Sequence, residues 1–367
     1  MKAIGVRLGE RSYRILVGRD LLSRAGARIK ECVKPRQAVI VTQKTVATRY
    51  LAPLEASLSR EGISSTVFTV PEVPSSEAAK SEAVFSKLIR ALAAADGKNR
   101  APFLIALGGG VIGDLTGFAA SVYRRGVPYV QIPTTLTSQV DSAIGGKTAI
   151  DLPEGKNLLG SIYQPALVLA DVSTLSSLPE RHWSDGFAEV IKYGVIRDKI
   201  LFEGLERHGL EGASKSPLLE RIIARCAGIK AGVVAKDEFD KKGERVILNF
   251  GHTAGHAIEA VAGYSARYTH GEAVGIGMLV ACDLGRRMGT LKDPGLTERL
   301  EKTLIKFKLP LYYKGLATEK ILESMGYDKK AEAGTNRFVL PVTLGKVTVV
   351  RGVPGETIAE ALRGRKG

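Results

Sequence analysis

The feature that most restricts this chain is an alternation in its first half, where short apolar runs are each followed by an amphipathic segment. "QAVIVT" (37–42) reads as a buried strand, and "TVATRYLAPLEASLSREG" as the helix after it, ended by Gly62. "STVFTV" (65–70) is a second strand; 75–97, "SSEAAKSEAVFSKLIRALAAADG", reads as a helix with a serine cap and a glycine stop. "APFLIALGGG" (101–110) runs into glycines and the helix "DLTGFAASVYRRG", while "YVQIPTT" (129–135) and "ALVLAD" (166–171) supply two more strands. Strands separated by helices argue for a parallel sheet with helices covering it. After residue 178 the period becomes helical, in "RHWSDGFAEVIKYGVIRDK", "PLLERIIARCAGIKAGVVAKDE", "GHTAGHAIEAVAG", "HGEAVGIGMLVACDLGRRMG" and "LTERLEKTLIKF". The reading is therefore an α/β first domain over 1–178 and an all-α second domain over 179–367. The closing "RGRKG" reads as a frayed tail.

Within the first domain, "LGGGVIGD" contains Gly108-x-Gly110-x-x-Gly113 between a strand and a helix. Such glycines let a backbone approach a pyrophosphate, and free amides at a helix start favour its charge. The match departs from the usual dinucleotide fingerprint, because it follows a later strand and no acid lies about 20 residues on to hold a ribose. Nucleotide binding in a different register is the expectation.

Composition narrows the partners. The chain has 53 Lys and Arg against 38 Asp and Glu, a net +15. These cations are scattered and have no interleaved aromatics, so no nucleic-acid partner is expected; a pocket for an anionic small molecule fits better. Cys32, Cys226 and Cys282 are odd in number and lack CxxC spacing, which suits free thiols in a reducing cytoplasm. The opening "MKAIGVRLGE" turns polar too early for a signal peptide, and no apolar run approaches the ~18 residues of a spanning helix.

Histidine is scarce, five in all, yet three of them cluster: His252 and His256 in "NFGHTAGHAIEA" and His270 in "YTHGEAVGIGM". At i and i+4, His252 and His256 share one helical face. Both could bind a metal, or one could bind it while the other serves as an acid/base or anion contact, or both could be structural. "HTAGH" lacks the glutamate of HExxH hydrolases. Zinc with three protein ligands and an open position marks a catalytic site. His252, His270 and a carboxylate would supply it, with Glu189 in "GFAEVIKYG" the leading choice and Glu259 and Glu272 its rivals. Cations gather nearby in sequence: Lys192 three residues after Glu189, and Lys230, Arg245 and Asn249 ahead of the histidines. Asp141, Lys147, Lys156 and Asn157 lie in what reads as a glycine-rich loop, 141–160.

Six blocks in order, "GGGVIGDLTGFAASVYRRGV", "QIPTTLTSQVDSAIGGKTAID", "GKNLLGSIYQP", "GFAEVIKYG", "LNFGHTAGHAIE" and "HGEAVGIGM", resemble the 3-dehydroquinate synthase family of sugar phosphate cyclases. The likeness spans roughly 70–280, with more in "MGYDKKAEAGTNRFVLPVTLGKV". It implies a Rossmann-like NAD-binding domain, a helical metal- and substrate-binding domain and an active site in the cleft between them. It also implies bound NAD, a divalent metal (usually zinc, with cobalt an alternative) and a cytoplasmic homodimer. The implied activity is that of a phosphorus–oxygen lyase. It converts 3-deoxy-D-arabino-heptulosonate 7-phosphate to 3-dehydroquinate and phosphate, in the shikimate route to aromatic amino acids. The steps are transient oxidation by NAD, phosphate elimination, reduction, ring opening and an intramolecular aldol.

Carried over residue by residue, the metal ligands would be Glu189, His252 and His270. NAD would meet Ser75, Ser76, Glu77, Ala78, Ala79 and Lys80, then Gly110, Val111, Ile112, Gly113 and Asp114. Thr134, Thr135, Lys147, Lys156, Thr174, Leu175, Ser176 and Ser177 complete that set. Substrate would meet Asp141, Lys147, Asn157, Lys192, Lys230, Arg245, Asn249, His256 and Lys330, with Arg125 reaching the neighbouring subunit's site. The chain departs from the family at His182, where a glutamate is usual, at Gln43 for an asparagine and at Gly232 for a glutamate. A related sugar phosphate cyclase, or a metal-dependent polyol dehydrogenase of the same fold, is the alternative activity.

Overall fold

The computed structural model describes residues 1–34, 37–73, 76–96, 101–215, 217–264, 267–326 and 336–367. The chain divides into two compact units, Met1–Leu178 with Ile223–Phe239, and Pro179–Ile222 with Asp240–Gly367.

The first unit carries β1 (Lys2–Val6), β2 (Tyr13–Gly18), α1 (Ala25–Lys30), β3 (Gln37–Gln43), α2 (Lys44–Arg60) and β4 (Ser64–Val70). It continues with α3 (Glu82–Ala95), β5 (Phe103–Gly108), α4 (Gly110–Val122), β6 (Tyr129–Pro133), β7 (Lys147–Leu152), β8 (Gly155–Ile162) and β9 (Leu167–Asp171). Seven strands form one sheet in the order β1-β2-β9-β6-β5-β3-β4. All neighbours are parallel except the antiparallel pair β1 and β2. Every residue of β5, β6 and β9 is buried, which is why these segments read as continuous apolar runs rather than as alternations. Along β3 the alternation does sort the faces. Ala38 and Ile40 pack with Leu54 and Leu58 of α2, while Val39 and Val41 pack with Leu88 and Leu92 of α3. Each such side chain contributes roughly 1.5–3 kcal/mol by leaving water.

Strand order reverses between β3 and β5, since the chain runs outward from β3 to β4 and then returns to place β5 on the other side of β3. In open parallel sheets that reversal opens a crevice at the carboxyl ends of the strands. The glycines after β5 stand at this point.

Three expectations need correction here. The helix predicted over 75–97 starts later: 76–79 is a short 3-10 turn and α3 begins at Glu82, capped by Ser81, whose Oγ accepts from the Val84 N–H at 3.4 Å. The "loop" at 141–160 is largely the antiparallel hairpin β7–β8, pairing Lys147 with Ile162 through Leu152 with Gly155. Strands β1 and β2 lie in a stretch for which no element was predicted.

The second unit contains α5 (Glu180–Arg197), α6 (Lys199–Lys215) and the first turn of α7 (Leu219–Lys236), whose remainder belongs to the first unit. Then come α8 (His252–Val261), α9 (His270–Arg287), α10 (Leu296–Lys306), α11 (Thr318–Ser324), β10 (Arg337–Thr343), β11 (Lys346–Arg351) and α12 (Gly355–Arg363). The unit is helical as expected, but β10 and β11 form an antiparallel hairpin that an all-α reading omits. The tail is not frayed. Arg365 is 5 % exposed; its Nε donates to Asp283 Oδ2 at 2.6 Å, its Nη1 to Glu301 Oε1 at 2.6 Å, and its carbonyl accepts from Tyr313.

Helix α9 is buried from Gly271 to Gly285 apart from Glu272. It can approach α8 closely because both present glycine at the crossing: a Cβ on Gly277 would stand 1.9 Å from the Gly251 carbonyl oxygen. Gly251 itself has φ 80°, a conformation that costs other residues energy.

Candidate functional site

In the second unit, three helices converge on one carboxylate. His252 opens α8 and is buried; His256 follows one turn later and is exposed; His270 opens α9. Their ring centroids lie 5.2 Å (His252–His256), 5.3 Å (His252–His270) and 5.8 Å (His256–His270) apart. Helix α5 delivers Glu189, which is 0 % exposed. Its Oε2 is in ion-pair contact with the buried Lys192 ammonium, and its Oε1 lies 3.4 Å from Nε2 of His252 and 3.4 Å from Nε2 of His270.

Oε1 of Glu189 has no hydrogen-bond partner, an expensive state for a buried carboxylate oxygen. A cation would relieve it, and the spacing suits one. A tetrahedral ion with bonds of ~2.1 Å separates its donors by about 3.4 Å. The ligand atoms of Glu189, His252 and His270 all fall within 4.8 Å of one another. Both imidazoles also have their other nitrogen occupied: His252 Nδ1 lies 3.1 Å from the Phe250 carbonyl oxygen and His270 Nδ1 3.1 Å from Glu259 Oε2. With Nδ1 donating in those contacts, Nε2 is the nitrogen that each ring turns toward Glu189 and the one a metal ion would take.

The rival carboxylates thus find other work. Glu259 accepts from His270. Glu272 belongs to the capping box of α9 with Thr269 and pairs with Arg181. A second, overlapping group of His256, Glu259 and His270 also brings donor atoms within 4.8 Å, but it is more exposed.

Burial opposes ionisation of Glu189, yet the Lys192 ammonium and the contact with His270 outweigh it and hold the carboxyl well below its usual range. Burial, then Lys192, pushes His252 down to about 3, so it stays neutral. His270 moves the other way, because its contacts with Glu189 and Glu259 overcome burial and hold it well above the ordinary imidazole value. Arg245, buried, and Asn249, exposed, occupy the short 3-10 turn Arg245–Asn249 that leads into α8.

The first unit gathers a separate set. Gly110, Val111, Ile112, Gly113 and Asp114 form the first turns of α4, after β5. Thr134 and Thr135 follow β6, and the Thr134 N–H donates to the Gly108 carbonyl at 2.9 Å. Thr174, Leu175, Ser176 and Ser177 lie in a 3-10 turn after β9, and Glu77, Ala78 and Ala79 in the turn after β4. All four segments follow the carboxyl ends of parallel strands, the edge where open α/β sheets bind ligands. Ser75 and Lys330 fall outside the described residues, and so does the side chain of Ser76. Gly108, Gly109, Gly110 and Gly113 all avoid positive φ. Close approach explains two of them: a Cβ on Gly113 would lie 2.8 Å from Gln131 Oε1, and one on Gly108 2.7 Å from Ile112 Cγ1.

Lys80, expected beside NAD, is also the hub of a buried polar cluster. Its side chain is 3 % exposed, and Nζ lies 2.9 Å from Asp114 Oδ2, 3.2 Å from Glu77 Oε1 and 2.5 Å from Asn157 Oδ1. Burial pushes the Asp114 carboxyl up to about 6 against the pull of Lys80. Lys156 stands 3.9 Å from Glu77, and Lys147 opens β7 exposed. Lys230 donates to the Asp141 carbonyl at 2.8 Å and pairs with its Oδ1 at 2.9 Å, which brings together two residues far apart in sequence. Arg125 lies exposed after α4 with φ 64°.

Comparison with known proteins bears on both units. Residues 70–185 match the family model for the 3-dehydroquinate synthase N-terminal region and 186–331 that for the C-terminal region. A curated 3-dehydroquinate synthase from Symbiobacterium thermophilum is 42% identical over 365 residues, covering 98% of this chain and 100% of the relative. Among solved structures, a 2-epi-5-epi-valiolone synthase from Streptomyces hygroscopicus, with NAD+ and Zn2+ bound, aligns with TM-score 0.85 at 28% identity, over 98% of each chain. A 2-deoxy-scyllo-inosose synthase complexed with carbaglucose-6-phosphate, NAD+ and Co2+ aligns with TM-score 0.84 at 26% identity, over 99% of this chain and 100% of the other.

Proposed function

The chain belongs to the 3-dehydroquinate synthase family, and on that premise we infer that it converts 3-deoxy-D-arabino-heptulosonate 7-phosphate to 3-dehydroquinate and phosphate, in aromatic amino acid biosynthesis. The observation that carries the reading is the buried Glu189 carboxylate with two imidazole Nε2 atoms each 3.4 Å from one of its oxygens. Glu189, His252 and His270 would hold a divalent ion, zinc or cobalt. The segments after β4, β5, β6 and β9 would hold NAD, with Lys147 and Lys156. When bound, these groups supply a reversible hydride acceptor and a Lewis acid that acidifies the hydroxyl being oxidised.

The remaining work falls to side chains. Lys192 keeps Glu189 ionised and oriented by occupying Oε2. His256 is exposed one turn from His252, and it would hydrogen-bond to substrate and move a proton during phosphate loss. Lys147, Lys230 and Arg245 would bind phosphate and carboxylate and stabilise the developing enolate, while Asp141, Asn157 and Asn249 would hydrogen-bond to substrate hydroxyls. Lys330 keeps its proposed substrate role by resemblance alone. By family resemblance the chain would form a homodimer in which Arg125, exposed after α4, reaches the neighbouring subunit's site. Three free cysteines fit a cytoplasmic setting, which cell fractionation would check.

The test is a phosphate-release assay on the fraction that sediments at twice the chain mass of 39.2 kDa. Zinc-loaded protein with NAD should release phosphate without accumulating NADH, and a chelator should stop it. Net NADH would instead favour a dehydrogenase.

Metal affinity should also depend on pH with a fixed sign. His270 is held well above the ordinary imidazole value, so it carries a proton in the metal-free site that an ion at Nε2 must expel. Affinity should rise about tenfold per pH unit until the pH passes the raised His270 value, then level off. Chelator competition at several pH values checks this; a flat profile across the neutral range would mean that no proton leaves His270 when the ion binds.

A further inference from the structure

The two helices that supply Glu189 and His270 are locked together by residues that take no part in the chemistry. On α5, Arg181, Asp185 and Glu189 stand at i, i+4 and i+8, one above another on a single face. Opposite them, the first three residues of α9 appear in reverse order. Arg181 grips Glu272 with both ends of its guanidinium, Nε to Oε1 at 2.8 Å and Nη2 to Oε2 at 2.7 Å. One turn along, Asp185 Oδ1 accepts the Gly271 N–H at 2.5 Å. One turn further, Glu189 Oε1 faces His270 Nε2 at 3.4 Å. Position 271 has to be glycine, since a Cβ there would stand 2.3 Å from the Asp185 carbonyl oxygen.

We propose that Arg181 and Asp185 are positioning residues that set the register of α9 against α5 and so hold His270 at coordinating distance from Glu189. The proposal rests on the metal reading above. Its physical basis is the ladder itself. The rungs are one turn apart on α5, about 6 Å, and successive residues on α9, so loosening either polar rung frees the first turn of α9 to shift or rotate. A bidentate arginine–carboxylate pair resists such rotation better than a point contact, and the Arg181 Nη2 also donates to the Arg267 carbonyl at 3.0 Å, extending the grip to the segment before the helix. Glu272 adds the capping box: its carboxylate accepts from the Thr269 N–H at 2.9 Å and the Thr269 hydroxyl accepts from the Glu272 N–H at 3.3 Å. The same carboxylate thus starts the helix and anchors it.

The test uses full-length protein in which zinc and cobalt affinity are measured by competition with a chromophoric chelator, and the cobalt form is followed by its visible spectrum. Arg181→Ala and Asp185→Ala should each weaken metal binding about 10- to 100-fold and alter the cobalt spectrum. Asp185→Asn keeps an oxygen for the Gly271 N–H and should restore most of the affinity. Arg299→Ala is the control: it removes a bidentate pair of the same kind, with Glu206 at 2.8 and 2.6 Å, elsewhere in the same unit. It should lower the melting temperature without changing affinity or spectrum. If Arg181→Ala and Asp185→Ala bind metal as the parent does, the positioning role is wrong while the metal reading stands. If the parent binds no ion, it is the metal reading that falls.

Discussion

Replacing His252 by alanine should remove the metal and the turnover together, whereas replacing His256 should leave the metal in place and slow the reaction. The two residues are one helical turn apart and chemically identical, so only their surroundings separate them. His252 is buried, neutral, fixed by the Phe250 carbonyl and aimed at the Glu189 oxygen that lacks a hydrogen bond. Without it, Glu189 and His270 remain as two donors from different helices, and affinity should fall by at least about a hundredfold, beyond the loss typical of a hydrogen-bonded neighbour of a ligand. Lys192 and His270 would still offset the Glu189 charge, so the variant should still fold. His256→Ala leaves all three donors in place. Its kcat should drop by about 10²- to 10⁴-fold, the usual reach of one acid–base group. Metal content after dialysis, read beside kcat, separates the two outcomes; metal loss in His256→Ala equal to that in His252→Ala would overturn the division.

That division was open when the sequence was read by spacing, and the reason is physical. A helical period places His252 and His256 on one face but says nothing of what lies opposite. The same limit applies to the carboxylate. Glu189, Glu259 and Glu272 all sit on helices near apolar residues, and only packing reveals that Glu259 serves His270 and Glu272 caps α9. The central strands were legible because β5, β6 and β9 are buried on both faces. Strand β1 was not, since three of its five residues are exposed and its sequence lacks a clear apolar face. The β7–β8 hairpin hid behind its glycines, and β8 has no buried residue to mark it. Arg365 hid because a basic C-terminal stretch gives no sign that Asp283 and Glu301 await it. Asp185, by contrast, could have been found from its i, i+4 relation to Glu189 once Glu189 was read as a ligand.

The second large effect concerns backbone rather than chemistry. Gly277→Ala should destabilise the protein and weaken its hold on metal, although alanine is the better helix former. A Cβ at 277 would sit 1.9 Å from the Gly251 carbonyl oxygen and 2.9 Å from the Gly255 nitrogen, and neither obstacle is a side chain that can rotate away. Relief therefore requires α8 and α9 to separate. Overpacking of this kind costs about 1–3 kcal/mol or more, and the gain in helix propensity returns at most about 1 kcal/mol. Separation also carries His252 at the head of α8 away from His270 at the head of α9, so zinc should raise the melting temperature of the variant less than that of the parent. Gly204 supplies the matched comparison. It lies inside α6 in the same unit, and a Cβ there meets nothing within 4 Å. Gly204→Ala should gain the propensity term without the clash and melt slightly above the parent, with its response to zinc unchanged. Thermal unfolding of the three proteins with and without zinc decides the matter. Should Gly277→Ala melt with or above Gly204→Ala, the glycine-to-glycine crossing would not be what draws the two histidines together.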